Sequence, residues 1–258
     1  MSITNLIDRP TASIVTKPRR SRNWLPAHEM SLSVPGFQVS TTYRRAHRSI
    51  RAGGDFCEVV PLPHSKTALI VGDIAGTGLT AILRIADVRR LLRASLRNNP
   101  DPAVAFDRLN RHLSSTASFV DDGPDVSAAL SIAVVDRYEG VVDVVTVGMD
   151  APFVVRASGD VVNAKATGVY VGTDQFARYE STRLEMYTGD ILAMFTDGIT
   201  ELGPGESYFG GERLAQALAN APGWDSISTT AQSVVSTALD FAGKVQSDDI
   251  CLLLCRRQ

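Results

Sequence analysis

Residues 53–78 read GGDFCEVVPLPHSKTALIVGDIAGTG. Two apolar, β-favouring runs, residues 56–62 and 67–73, flank the turn-like Pro63-His-Ser-Lys66, and a hairpin is their natural connection. Each run has an aspartate at one end, Asp55 or Asp73, with glycine beside it. Two further acidic signals follow, Thr196-Asp-Gly198 and Ser247-Asp-Asp-Ile250, again at the margins of apolar runs. Strand ends are rigid, and small neighbours leave room for water or a ligand. Four such carboxylates brought together form a hard, oxygen-rich site of the kind Mg²⁺ and Mn²⁺ prefer. Aspartate beside glycine is common in plain turns, so no single motif carries the argument. The combination does, because gathered carboxylates repel one another and a divalent ion removes that penalty.

Outward from this segment, residues 37–43 alternate as a half-buried strand does. Gly78 opens a helix in which Ile82, Ile85, Val88, Leu92 and Leu96 recur at helical spacing, with arginines between them. Asn98-Asn-Pro100 stops it. Asp101 is a suitable N-cap and Pro102 a suitable first residue for a second helix, whose apolar stripe is Phe106, Leu109 and Leu113. So short a link makes the two helices antiparallel neighbours. Residues 128–136 and 141–148 form a hairpin at Arg137-Tyr-Glu-Gly140, and residues 153–156 continue as a meander. Residues 184–187 and 190–197 repeat that logic around Thr188-Gly189. Helices at 211–220 and 226–241 and a strand at 249–256 complete the order. Strands, two helices, strands, two helices and a strand predict an α+β fold with antiparallel sheets and segregated helices.

The chain of 258 residues is long enough to bury a substantial core, and 44 % hydrophobic with 21 % charged residues is the composition of an ordinary globular protein. No apolar run is long enough to span a membrane, and the N-terminus lacks the order of a secretory signal. Residues 1–51 carry nine Lys/Arg against Asp8 and Glu29, so this part is +7 and the remainder −9. Residues 1–23 read as a flexible basic arm and 24–258 as one domain. Arg44, Arg45, Arg48 and Arg51 lead into the first acidic motif and suit an anion-attracting rim. A nucleic-acid role is not supported, since no aromatic or helical reading element stands among these charges. Of the three cysteines, Cys251 and Cys255 are spaced about 13 Å apart along one strand, beyond disulfide reach. Cys57 completes the set without metal-type spacing, and a reducing cytoplasm fits this usage best.

Two look-alikes fail. Gly53-Gly-Asp-Phe56 lacks the second acidic residue that diguanylate cyclases carry between the aspartate and phenylalanine. The glycine-rich residues 72–80 have no lysine where a P-loop requires one.

From about Ser31 to Arg256 the chain resembles the metal-dependent serine/threonine phosphatases related to protein phosphatase 2C. It is most similar to their bacterial branch, typified by the stage II sporulation protein E and sigma-factor regulator phosphatases. That branch has Gly-Gly-Asp-Phe, then Gly-Asp-x-x-Gly-x-Gly, an Asp-Gly after a strand, and Asp-Asp-Ile/Met near the C-terminus; all four occur here in order. The resemblance implies a four-layer αββα sandwich, two antiparallel sheets flanked by helix pairs, with two Mn²⁺ or Mg²⁺ ions at one edge. Carried over, Asp55, Asp73, Asp197 and Asp248 are the catalytic metal ligands, Asp73 bridges the ions, and the Ile74 carbonyl is an extra ligand. Asp249 caps or orients, because neighbours on a strand diverge. Glu58 is read as acting behind the ligands or through water.

The implied activity is hydrolysis of phosphoserine or phosphothreonine by metal-activated water. The implied partner is a phosphorylated regulator of the anti-sigma-factor antagonist type, and a homodimer is left open. A hydrolase of small phosphoesters would use the same site. Departures at Thr77, Thr80 and Met149 keep a second class in view, a pseudophosphatase that binds without turnover. Where protein phosphatase 2C has a histidine two residues after the bridging aspartate, this chain has Ala75. His28, His47, His64 and His112 lie outside every motif.

Overall fold

The computed structural model describes residues 14–15, 28–46, 54–74, 79–117, 128–166, 170–204, 207–221 and 226–258. Trp24, His47, Arg48, Arg51, Ala75 and Thr77, and most of the basic arm, lie outside these residues, as does the side chain of Thr80. The strands are β1 (Ile14–Val15), β2 (His28–Val34), β3 (Phe37–Arg44), β4 (Asp55–Pro61), β5 (Lys66–Ile74), β6 (Ala128–Asp136), β7 (Val141–Val147), β8 (Phe153–Val155), β9 (Val161–Asn163), β10 (Thr182–Glu185), β11 (Ile191–Phe195) and β12 (Ile250–Arg257). The helices are α1 (Leu79–Asn98), α2 (Pro102–Ala117), the short α3 (Asp197–Thr200), α4 (Gly210–Ala219) and α5 (Ile227–Phe241). No helix among the described residues is long and apolar enough to cross a membrane.

Among the described residues every strand pairing is antiparallel. One sheet runs β1-β2-β3-β12-β11-β8-β9 and the other β10-β7-β6-β5-β4. Period-two alternation explains how near-continuous apolar strands fill three cores. In β12, Ile250, Leu252 and Leu254 face the α4–α5 side, where Leu214, Leu218, Ala231 and Val234 cover them. Cys251, Leu253 and Cys255 face the other sheet and meet Leu69, Val71 and Val144. In β5 and β6, Ala68, Ile70, Ile132 and Val134 turn outward onto Val88, Leu92, Phe106 and Leu109 of α1 and α2. The layers are therefore helix pair, sheet, sheet, helix pair, as expected.

The β4–β5 hairpin forms as read, closing at His64 and Ser65, whose φ values of 58° and 59° are left-handed. Two successive left-handed residues make a primed turn, the type whose twist matches paired strands.

Three features differ from the expectation. The meander does not continue from β7 to β8, and β10 and β11 are not a hairpin; each of these connections crosses between sheets. The turns are tight, but β10 is one-sided, with only Leu184 buried, whereas β11 is buried throughout. An edge strand and a central strand of that kind suit different sheets. Asp190 secures the second crossing: its buried carboxylate accepts bonds from Arg156, Ala157 N–H and Tyr187 N–H. Secondly, β2 adds a strand ahead of β3, joined by Pro35-Gly36, with Gly36 at φ +78°. That dipeptide suits the centre of a type II turn. Ile14 and Val15 pair with Leu32 and Ser31 at its free edge.

The third difference concerns the cysteines. Cys255 is free and buried, but Cys57 and Cys251 form a disulfide, with Cα atoms 6.5 Å apart. It joins β4 of one sheet to β12 of the other across 194 residues, a proximity that spacing along the chain does not carry.

Candidate active site

Asp55 opens β4 and Asp73 sits near the end of β5, and the register makes them direct partners. Like charges directly opposite on a sheet are destabilising. Gly54 makes the approach possible: a Cβ there would lie 2.2 Å from Asp73 Oδ1 and 2.3 Å from the Ile74 carbonyl oxygen. The glycine thus leaves a cradle lined by two of the proposed ligand oxygens.

The other two acids come from the facing sheet. Asp197 follows β11 directly and opens α3, while Asp248 and Asp249 precede β12. Gly198 lets these ends meet, since a Cβ on it would stand 1.7 Å from the Asp249 carbonyl oxygen. Thr196 stitches the two sheets together. Its hydroxyl donates to Asp55 Oδ2 at 2.7 Å and accepts the Cys251 N–H at 3.1 Å.

The acids of this edge act on one another in part. Burial, then the charges of Asp73 and Asp248 against the Thr196 hydrogen bond, raises the Asp55 carboxyl to about 8. Burial and the charges of Asp197 and Asp248 raise Asp73. Burial, then Asp248, raises Asp197. A site that raises several carboxyl pKa values together is short of positive charge.

No three His, Cys, Asp or Glu side chains among the described residues surround one point closely enough to hold an ion by themselves. Mg²⁺ does not need such a cage, because it keeps several waters and binds through one or two carboxylates. All-oxygen donors, mutual repulsion and the Gly54 cradle fit a hydrated divalent ion of that kind.

Asp248 and Asp249 divide as neighbours on a strand should. Asp249 is 3 % exposed, and its carboxylate accepts the Tyr43 hydroxyl at 2.5 Å and the Ala46 N–H at 2.8 Å. Burial and the bond to Asp249 push the Tyr43 phenol well above its usual range. Asp248 is exposed, and its Oδ1 accepts the Asp249 N–H.

Glu58 corrects its reading. It is buried and ion-paired to Arg89 and Arg93 of α1, so it fastens the helix to the sheet and does not serve the acids. The reason is parity: three residues beyond Asp55, its side chain leaves the opposite face of β4. Within the proposed basic rim, Arg44 donates to Gln246 Oε1, beside the Asp248 loop.

Residues outside the motifs also reach the site. A cavity of about 620 Å³ adjoins Asp197 and is lined by Met149, Asp150, Tyr170, Glu201 and Tyr208. Asp150 Oδ2 accepts the Thr200 hydroxyl at 2.8 Å. Burial, then the charges of Asp197, Asp150 and Asp248, raises Glu201. Neither described histidine side chain is at the site. His64 lies in the turn at the far end of the β4–β5 hairpin, roughly 25 Å or more from its acids. His112 stands on α2, 3.2 Å from Asp87.

Sandwich and acids together define a protein phosphatase 2C-type domain, the fold of that family of serine/threonine phosphatases. The family model for stage II sporulation protein E matches residues 63–258, and the chain belongs to that family. Among relatives, Protein IcfG of Synechocystis is 24 % identical over 263 residues, covering 92 % of this chain and 40 % of that protein. The RsbU and RsbW domains of Rv1364c from Mycobacterium tuberculosis superpose with a TM-score of 0.75 at 22 % identity, over 87 % of this chain and 62 % of that one. RsbX, whose crystal structure is a complex with magnesium, gives a TM-score of 0.65 at 13 % identity, over 90 % of this chain and all of that one. The chain spans less than half the length of the curated relatives it matches.

Proposed function

We propose that this domain hydrolyses phosphoserine or phosphothreonine on a small regulatory protein of the anti-sigma-factor antagonist type. Its cofactors would be two Mn²⁺ or Mg²⁺ ions, held by Asp55, Asp73, the Ile74 carbonyl, Asp197 and Asp248. The observation that carries this reading is the convergence of those acids from two sheets onto one edge, where burial and the charge of Asp248 raise Asp55, Asp73 and Asp197 together. The magnesium named for RsbX supports the choice of ion class. When bound, the ions would supply a nucleophilic water at neutral pH and neutralise charge on the phosphoryl oxygens.

The chain's own residues do the rest. Asp55 and Asp73 present oxygens across the β4–β5 register, and Asp197 and Asp248 present theirs from the facing sheet. Asp249 holds the β3 end through Tyr43 and Ala46, fixing the strand start that carries Asp248. The cavity beside Asp197 is large enough for the residues flanking a phosphorylated side chain, and Tyr170 and Tyr208 offer exposed rings there.

The test is phosphate release from a panel of phosphorylated regulators with Mn²⁺, Mg²⁺ or chelator. Asp197→Asn should remove turnover by about two orders of magnitude or more without unfolding the domain. Near wild-type turnover in that variant would reject the site. Tight binding of a phosphoprotein with no turnover by the wild type would establish the pseudophosphatase instead.

A further inference from the structure

Thr196 stands at the N-cap of α3, where a threonine hydroxyl ordinarily accepts an N–H from the first helical turn. It makes no such bond. The hydroxyl turns the other way, donating to Asp55 Oδ2 at 2.7 Å and accepting the Cys251 N–H at 3.1 Å. Its direction is forced. A backbone N–H can only donate, so it occupies a lone pair of Oγ1, and the single hydroxyl proton is left for Asp55. Thr196 is fully buried, so water does not compete for either partner. Its backbone N–H is tied to the Cys251 carbonyl at 3.0 Å, which fixes the residue against β12 from a second side.

We infer that Thr196 is a positioning residue. Its hydroxyl selects the carboxylate orientation that Asp55 presents to a divalent ion, and so transmits the placement of β11 and β12 to a ligand on the opposite sheet. The Cys57–Cys251 disulfide closes a ring: Asp55, Phe56, Cys57, Cys251, Thr196 and back to Asp55. Asp55 is therefore held from both ends, by its own strand through Cys57 and by the facing sheet through Thr196. Groups that orient a metal ligand from behind are typically worth 10–100-fold in metal affinity or activity.

The inference rests on the proposed role of Asp55, and the experiment separates the two. Mn²⁺ is titrated calorimetrically into chelator-treated wild type, Thr196→Val and Thr196→Ser, each checked for cooperative unfolding. Valine keeps the shape and removes the hydroxyl; serine keeps the hydroxyl. The expected result is an Mn²⁺ Kd raised about tenfold or more in folded Thr196→Val and restored to within about threefold of wild type by Thr196→Ser. In phosphate release, the valine variant should need correspondingly more Mn²⁺ for half-activation while the KM for the phosphoprotein stays unchanged. Unchanged Mn²⁺ affinity in folded Thr196→Val, or no recovery in Thr196→Ser, overturns the inference while leaving the metal site standing. Wild type that binds no Mn²⁺ overturns the metal site itself, and this inference with it. If the valine variant does not fold, Thr196→Ala takes its place with the same two outcomes. Failure of both to fold makes the role structural and overturns the inference.

Discussion

Asp73→Asn should make the metal-free protein more stable at pH 8 while abolishing its response to metal. Asp73 faces Asp55 directly across the β4–β5 register. Two unit charges about 4 Å apart at an effective dielectric of about 20 repel by about 4 kcal/mol. The folded protein avoids much of this by retaining a proton, since burial and the neighbouring acids push the Asp55 carboxyl from the usual carboxylate range up to about 8. Between the usual carboxylate range and about 8 the native state holds the Asp55 proton that the unfolded chain has lost, so this group's contribution to metal-free stability is largest at low pH. It is lost as pH rises towards about 8. Removing one charge should recover roughly half the repulsion, about 2 kcal/mol, or about 4–8 °C in Tm for a domain of this size. At pH 4, where Asp55 keeps its proton and the pair carries at most one charge, the variant and wild type should differ little. The assay is thermal unfolding of both proteins in EDTA and in Mn²⁺ across pH 4–8. Wild type in Mn²⁺ should gain stability most at high pH, and Asp73→Asn should gain little anywhere. A metal-free Asp73→Asn that melts below wild type at pH 8 would refute the repulsion argument.

Asp248→Ala should weaken Mn²⁺ binding, whereas Asp249→Ala, which orphans Tyr43 and the Ala46 N–H, should destabilise by about 1–3 kcal/mol; equal effects in both assays would contradict the division. Glu58→Gln leaves Arg89 and Arg93 without their counter-charge and should lower stability by about 1–2 kcal/mol, discounted for the partial exposure of both arginines. Its Mn²⁺ Kd should stay at the wild-type value, and a tenfold rise would return Glu58 to the site. The double change His64→Asn with Ser65→Gly suits the left-handed turn and should stabilise by about 0.5–1 kcal/mol in denaturant melts; a lower midpoint would show that the turn is not primed. With Ala75 in place of a proton donor, aryl phosphates should be hydrolysed much faster than alkyl phosphates, by up to the 10²–10⁴-fold typical of general acid catalysis. His64→Gln and His112→Gln should keep kcat, and a variant that lost activity on phosphoserine alone would reveal an unrecognised acid.

The order of strands and helices was legible from alternation in β3 and three-to-four spacing in α1 and α2, whereas the four-layer arrangement came from the family resemblance. The acids drew notice as a set: one aspartate beside glycine is common in plain turns, but four acidic motifs at the margins of apolar runs in one chain are not explained that way. What escaped depends on which sheet a strand joins. Period two says that Leu184 and Leu192 are buried, not that their strands lie in different sheets. The same blindness hid the Cys57–Cys251 pair. Glu58 was misread although the signal was present, since an odd offset from Asp55 on a strand places it on the other face. Thr196 sat inside a quoted motif; its role was hidden because an N-cap threonine predicts a bond within its own helix, and here the partner is on another sheet.

The position of β12, between β3 and β11, has a consequence for vectorial synthesis. β4 to β7 can zip up from neighbours in sequence, and their sheet needs only the late edge strand β10 to be complete. The other sheet cannot close until residues 250–257 arrive, because β3 and β11 each pair with β12 and not with one another. Such long-range pairing is slow, since the chain must close a large loop before any contact rewards it. Asp248 and Asp249 arrive with that last strand. A nascent chain therefore carries Asp55, Asp73 and Asp197 without their final companion. On the proposed reading of the site, catalytic competence is a late event of folding, gained only when the final described strand slots home.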